Sequence, residues 1–386
     1  MVILYSSFFF LYAIYAVVNP FLQVMLRNLG YSHEMVGHLL SLFEISGIIG
    51  PLLLARWVDK QGNMKRAVLL CTIGTVVSMS VLMVSSSFLA TAVSLIVLAY
   101  FFRALLPLLD TYANNLFDGN AQRYAMLRSF GTVGFVFFSV LFAITGRPNL
   151  ESNVHIGLYA IGTSIFFIIP VFFWKREPKR QKVSSELLSE PEGRWYDAAF
   201  IVGMLIIALI RLSMASLTSF FSLYLVEELE INAISLMNAI AAGSEYGAMI
   251  FAGIMIQRKK VLPVQLLMIS SAGMVVRLLI YAFFPSFTGV LVAQLMHSFC
   301  YGFFHPAAIY FVARRVKRSH RALGMSIYVS LGNGLPAVVG SSLGGIVVEY
   351  LGYAPLFSSY SLFAFAAFVL CIIFYKRMTI PPLEAV

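Results

Sequence analysis

Residues 35–86 read MVGHLLSLFEISGIIGPLLLARWVDKQGNMKRAVLLCTIGTVVSMSVLMVSS. Two apolar runs, near 35–57 and 66–86, are joined by the charged hinge Ala55-Arg-Trp-Val-Asp59-Lys60-Gln-Gly62-Asn63-Met-Lys65-Arg66. A bilayer core some 30 Å thick asks about 20 apolar residues of one helix, and each run supplies them. So short a hinge makes the two helices antiparallel neighbours. Working outward, runs of the same kind recur near 4–26, 89–117, 124–146, 154–174, 197–226, 233–256, 263–284, 287–315, 321–350 and 354–376. The 386 residues are thus expected to form an all-α integral membrane protein with twelve transmembrane helices.

The composition agrees: 60% of residues are apolar, 15% aromatic and only 11% charged, and the mean hydropathy is +0.87. A soluble domain carries about a quarter charged residues, and here the polar side chains are too few to cover an outer surface. Soluble enzymes, disordered chains, collagen-like chains and disulfide-rich secreted domains are excluded. Cys71, Cys300 and Cys371 lie inside apolar runs with neither metal spacing nor a disulfide framework. They read as small packing residues, and no metal or cofactor is expected. The first run lacks a basic flank and a cleavage site before Arg27, so it reads as an uncleaved span.

A net charge of +10, from 27 Lys+Arg against 17 Asp+Glu, could suggest nucleic acid. Its placement follows membrane topology instead. With a cytoplasmic amino terminus, the inner loops hold Arg56, Lys60, Lys65 and Arg66, then Arg123 and Arg128, and the stretch from Lys175 to Arg194. Further along they hold Arg258 to Lys260, Arg314 to Arg321, and Lys376 with Arg377. The outer loops hold Arg27, Arg147 and the acidic cluster Glu227, Glu228, Glu230. The expectation is a cell or inner membrane protein with both termini cytoplasmic, its partners being lipid and a small solute, with no nucleic acid. The longest hydrophilic stretch suggests a six-helix bundle over 1–176, a cytoplasmic linker over 177–195 and a second bundle over 196–386. The loop Gly253-Ile-Met-Ile-Gln257-Arg258-Lys259-Lys260 weakly repeats the hinge. Two pseudo-symmetric halves around a midplane site are the build of secondary transporters.

The hinge resembles the signature of the major facilitator superfamily. Ala55, Asp59, Lys60, Gly62, Lys65 and Arg66 supply it, with Ala where Gly is usual and Asn63 where a basic residue is common. The resemblance implies a gating role for Asp59, Lys60, Gly62, Lys65 and Arg66. Near a helix end, Asp59 can pair with a basic group or dipole of the other half, a pair that opening the cytoplasmic side would break. The plainer alternative is a solvated loop charge. The drug-antiporter signature is missing from helix five, where Gly131-Thr-Val-Gly134 runs on into Phe135-Val-Phe-Phe. That argues against a proton-antiporting drug pump.

A finer resemblance, over nearly the whole chain, is to the branch of phenylpropionate permease, nucleoside–proton symporters and lactose permease. It rests on Tyr12, Pro20-Phe21-Leu22, Leu29-Gly30, Gly37, Gly50-Pro51, Pro107-Leu-Leu-Asp110 and Arg128-Ser-Phe-Gly131. In the second half it rests on Gly243-Ser-Glu245, Val276-Arg277-Leu278, Met296-His297-Ser-Phe-Cys300 and His305-Pro306. It implies a substrate-binding pair, Asp110 with Arg128, and a polar cluster of Glu245, Arg277 and His297. One departure matters: sugar-transporting members carry a proton on a carboxylate three residues after the histidine, where this chain has Cys300.

The residues support these roles on their own terms. An ionisable group at bilayer depth costs about 2.5–3.5 kcal/mol even on the lenient scale, so it persists when paired or functional. Arg103 and Asp110 are one heptad apart, on one face of helix four. Asp110 and Arg128 fall at matched depths on antiparallel neighbours. Such a pair can accept hydroxyls and hold anionic oxygens, or it can simply tie two helices together. Glu245, Arg277 and His297 lie near the midplane, and His297, Tyr301 and His305 form a stripe at four-residue spacing. Substrate binding is expected at Asp110, Arg128, Arg103, Arg277 and His297, and proton coupling at Glu245 first and His297 second. Glu44 and Arg211, each mid-helix with no matching family position, are possible cavity residues together with Tyr301 and His305. Tyr12, Tyr112 and Tyr224 are further cavity candidates. Gly340 and Gly344 have the spacing of close helix packing.

The expected function is proton-coupled import of a small polar or aromatic solute (aromatic carboxylate, nucleoside or glycoside) by alternating access, in a monomer. Buried arginines outnumber buried acids, which favours an anionic solute. The alternative is an exporter or uniporter without proton coupling, a reading that Cys300 keeps open. No His-Glu-x-x-His or Gly-x-Ser-x-Gly motif is present, so no catalytic residues are expected.

Overall fold

The structure is a computed structural model describing residues 1–117, 121–174, 196–317 and 320–379. The linker expected at 177–195 lies outside these residues. The first bundle comprises α1 (Val2–Asn28), α2 (His33–Gln61), α3 (Met64–Val84), α4 (Phe88–Leu116), α5 (Ala121–Thr145) and α6 (Asn153–Phe172). The second comprises α7 (Ala198–Glu228), α8 (Ile234–Gln257), α9 (Pro263–Phe283), α10 (Phe287–Arg314), α11 (Leu323–Leu351) and α12 (Tyr353–Ile373), with a short α13 (Tyr375–Thr379) behind it. All twelve expected spans are present, each end within four residues of its expected place.

The short polar connections carry their own stop and start signals. Ser32, Asn63, Ser87, Ser152, Asp197 and Ser286 each accept a backbone N–H of the helix they precede, which satisfies donors that lipid could not. In the hinge, Gly62 ends α2 at φ +64°, where glycine pays no Cβ penalty, and Asn63 caps α3 at once. The signature glycine thus has a backbone reason.

Packing follows the rules of a lipid solvent. Each helix buries only part of its surface, and side chains such as Ile73, Ile144, Ile165 and Phe173 stay exposed. Apolar side chains gain little by leaving lipid tails, so association relies on close fit and small residues. Within the halves, α1 packs on α5 and α6, α3 on α4 and α6, α7 on α11 and α12, and α9 on α12. Between them, α2 meets α11 and α5 meets α8. The α2–α11 crossing is tightest at Gly37 and Gly345. A Cβ on Gly37 would lie 2.5 Å from the Ser341 carbonyl oxygen and 2.9 Å from Gly345 Cα. On α11, a Cβ at Gly344 would lie 2.7 Å from the Phe220 ring of α7, so this glycine is a packing residue.

Regular helices were expected throughout, but α7, α10 and α11 each contain a π-helical segment: Tyr224–Glu228, Ser298–Gly302 and Tyr328–Gly334. Such widened turns admit an extra residue and re-aim the remainder of the helix. Hydropathy cannot reveal them, because it reports how apolar a stretch is and not which turn its backbone makes.

Candidate functional site

Charged side chains cluster within the spans of both halves. On the first side, Arg128 of α5 places its Nε 3.7 Å from Asp110 Oδ1 of α4, while its guanidinium lies 4.9 Å from the Tyr12 ring centre. At that length the contact is an ion pair and not a hydrogen bond, and Asp110 Oδ1 is buried with no hydrogen-bond partner. Tyr124 donates its hydroxyl to the same carboxylate. The pair expected at matched depths is therefore brought together with an acceptor to spare.

Arg103 behaves differently. Its spacing shares a face of α4 with Asp110, but its Nη2 donates to Glu44 Oε1 of α2 at 2.6 Å, and the guanidinium covers the Phe43 ring at 5.1 Å. Glu44, which matched no family position, is the counter-ion of Arg103.

In the second half, α8, α9 and α10 assemble a continuous polar chain. Arg277 donates to Gln294 Oε1 at 2.8 Å and lies 2.7 Å from His297 Nδ1. His297 Nε2 lies 3.1 Å from Glu245 Oε2. A guanidinium only donates, so Nδ1 accepts and the ring proton sits on Nε2, donated to Glu245. This bonding holds His297 neutral and leaves Glu245 without a directly touching cation among the described residues.

The stripe His297, Tyr301, His305 is a stacked ladder, with ring centres 5.6 and 5.5 Å apart and interplanar angles of 9° and 13°. In a regular α-helix each four-residue step overshoots a turn by about 40°. The π turn at Ser298–Gly302 takes up that drift and keeps the rings in register. Tyr12 and Arg128 of the first half lie within electrostatic reach of Tyr301 of the second, and α5 packs on α8 across the halves. Cys300, where a carboxylate was conceivable, is fully buried and its carbonyl accepts from Ser270 at 2.5 Å.

Arg211, midway along α7, has no carboxylate partner among the described residues; its Nη1 reaches the Met214 sulfur at 3.5 Å and its Nε is buried unbonded. Tyr112 and Tyr224 leave the set of cavity residues. Tyr112 is buried and stacked 4.0 Å from Trp174, and buried Tyr224 donates to the Tyr281 carbonyl at 3.1 Å. Both lie towards helix ends, where packing occupies them. Gln294 and Tyr281, the uncharged neighbours of Arg277, went unnoticed in the sequence because nothing separates them from ordinary core residues.

The two ends of the bundle differ. At one, Glu227 of the second half accepts from Arg27 Nε at 2.7 Å, pairs with His33 Nε2 at 2.6 Å and accepts from the Tyr353 hydroxyl at 2.5 Å. His33 also reaches Glu349, through its backbone N–H at 2.7 Å and its Nδ1 at 3.1 Å. Nearby, Ser41 donates to the Val338 carbonyl at 2.7 Å. These bonds latch the halves beside the Gly37–Gly345 crossing. At the other end Asp59, Lys60 and Arg66 are exposed, and Asp59 makes no ion pair among the described residues. Lys65 donates to the Phe172 carbonyl within its own half, at 2.5 Å. A separate cavity of about 340 Å³ at this end is lined by Lys259, Arg314, Arg315 and Met378. It lies away from the mid-depth charges.

Twelve spans around a charged midplane, latched at one end, define a multi-pass membrane transporter. The model of the MFS_1-like family matches residues 1–359, and the chain belongs to that family, within the major facilitator superfamily. It is similar to the uncharacterized transporter YwbF of Bacillus subtilis, 23% identical over 72% of this chain and 69% of the relative. It is also similar to a probable 3-phenylpropionic acid transporter of Escherichia coli, 24% identical over 90% of each chain. Among solved structures, a mutant form of the nucleoside transporter NupG superposes with a TM-score of 0.81 at 17% identity, covering 98% of this chain and 99% of that one. These relatives are transporters and not enzymes.

Proposed function

We propose that the protein imports a small polar or aromatic organic solute together with a proton, by alternating access, as a monomer in the cell or inner membrane. The observation that carries this reading is Glu245. Glu44 and Asp110 each face an arginine, whereas Glu245 is held by a neutral imidazole at 3.1 Å. It can gain and lose a proton without stranding a partner's charge. His297 and Arg277 hold the carboxylate in place, and Asp110 with Arg128 binds solute from the other half.

On this reading the basic loops and both termini are cytoplasmic. The conformation is then closed to the outside at Glu227 and reachable from the cytoplasm. Side-chain exposures of 26% and 32% at Asp110 and Arg128 support that access. An Asp59 with no ion pair among the described residues supports a gate released on the cytoplasmic side. The relatives named for 3-phenylpropionic acid and for nucleosides set the solute classes to test.

The test presents radiolabelled 3-phenylpropionate, uridine or a β-galactoside outside proteoliposomes, with and without an imposed pH gradient. The parent should accumulate one of these only with the gradient. Glu245→Gln, a permanent mimic of the protonated acid, should still exchange solute for solute but lose accumulation. Accumulation by Glu245→Gln, or a parent indifferent to the gradient, refutes proton coupling; the second result favours a uniporter.

A further inference from the structure

Four guanidiniums stand at bilayer depth, on Arg103, Arg128, Arg211 and Arg277, against three carboxylates, on Glu44, Asp110 and Glu245. The pairing distributes them unevenly. Glu44 meets Arg103 and Asp110 meets Arg128. Arg277 spends its terminal nitrogens on Gln294 and on His297, which leads to Glu245. Arg103 and Arg277 also leave Nε unbonded, but their forks are engaged. Among the described residues Arg211 has only a thioether, a weak acceptor, at 3.5 Å. Of the two guanidiniums with no carboxylate in direct contact, Arg277 is met by Gln294 and His297, and Arg211 is the one left without an oxygen or nitrogen acceptor among the described residues.

That side chain is not isolated from the site. α7 packs against the Phe304–Arg314 stretch of α10 and against the Tyr328–Gly334 segment of α11, and Arg211 is within electrostatic range of His297, Tyr301, His305 and Tyr328. Arg128 acts on Tyr301 and His305 from the opposite half. Arg211 thus lies on a helix packed beside the ring ladder, with a thioether as its one acceptor and a buried, unbonded Nε among the described residues. A planar fork of unspent donors matches a carboxylate through two parallel N–H···O bonds.

We infer that Arg211 is the seat for the carboxylate of the transported solute, so that the protein selects small organic monocarboxylates over neutral nucleosides and glycosides. This rests on the reading of the mid-depth cavity as the solute site. A neutral hydroxylated solute could satisfy the free Asp110 oxygen but would leave Arg211 uncompensated. A monocarboxylate cancels the excess charge and leaves the three existing acid contacts in place. Selectivity then arises as it does wherever a site's buried polar group goes unpaired with the wrong ligand.

The test is equilibrium binding to the full-length protein in nanodiscs without any ion gradient, which separates it from the question of proton coupling. Matched probes are benzoate and 3-phenylpropionate against benzamide and 3-phenylpropanamide, with uridine and a methyl galactoside as neutral references. The parent should bind a carboxylate at least tenfold more tightly than its amide. Arg211→Gln should erase that preference, and Arg211→Lys should retain part of it. A parent that binds amide and acid alike, or binds none of the carboxylates, overturns the inference. So does an Arg211→Gln protein that keeps the parent's preference. Because the acid–amide comparison is made on the parent, the outcome does not depend on any variant folding.

Discussion

Replacing Glu227 with glutamine should unlatch the closed end. This carboxylate collects Arg27 at 2.7 Å, His33 at 2.6 Å and the Tyr353 hydroxyl at 2.5 Å, and the first two belong to the opposite half. A hydrogen bond to a charged group contributes about 1.5–3 kcal/mol when well buried. Glu227 is 27% exposed, so about 1 kcal/mol for each of the two cross-half bonds is the better figure. Glutamine keeps the shape and one acceptor but loses the charge, removing about 1–2 kcal/mol of closed-state stabilisation, roughly a 5- to 30-fold shift in population. The readout is the distance distribution between spin labels on cysteines introduced at Ser86 and Pro285, both exposed at the latched end. The native Cys71, Cys300 and Cys371 are buried and should resist labelling. Glu227→Gln should broaden the distribution towards longer distances. Gly345→Ala carries no charge, yet should act in the same direction by forcing α2 and α11 apart at their crossing. Unchanged distances in both variants would refute the latch.

Two further outcomes concern the first half. Asp110→Asn and Arg128→Gln should each abolish solute binding in the equilibrium assay. The stability cost should be about 2–3 kcal/mol, below that of a fully buried pair because both side chains are a quarter to a third exposed; parent-like binding in both would make the pair purely structural. Asp59→Asn should slow transport through its effect on exchange between states while leaving affinity intact, and normal turnover in proteoliposomes would remove the gating assignment.

The site was legible in proportion to how local its signals were. Asp110 with Arg128, and Glu245 with His297 and Arg277, could be picked out in the sequence because a charge inside an apolar run stands out and because their motifs resemble a known branch. The stacking of His297, Tyr301 and His305 was half visible as a spacing; its register depended on a π turn that no composition marks. Arg103 showed the limit, since its same-face neighbour Asp110 is bypassed for Glu44, on a helix reached only after folding. The latch was invisible for the same reason. Arg27 and Glu227 could be placed in outer loops, but nothing in either segment says that they touch.

What the sequence determined by itself is the number, length and ends of the twelve helices. In lipid every backbone polar group must be satisfied within its own helix, so run length and capping residues decide each span alone. Which side chain meets which was left to the tertiary structure. Lipid-facing and core-facing positions are equally apolar here, so the pattern carries no rotation angle for a helix, and only packing against its neighbours sets one. Those rotations, adjusted by three widened turns, paired Arg103 with Glu44, held His297 between Arg277 and Glu245, and left Arg211 without an acid among the described residues.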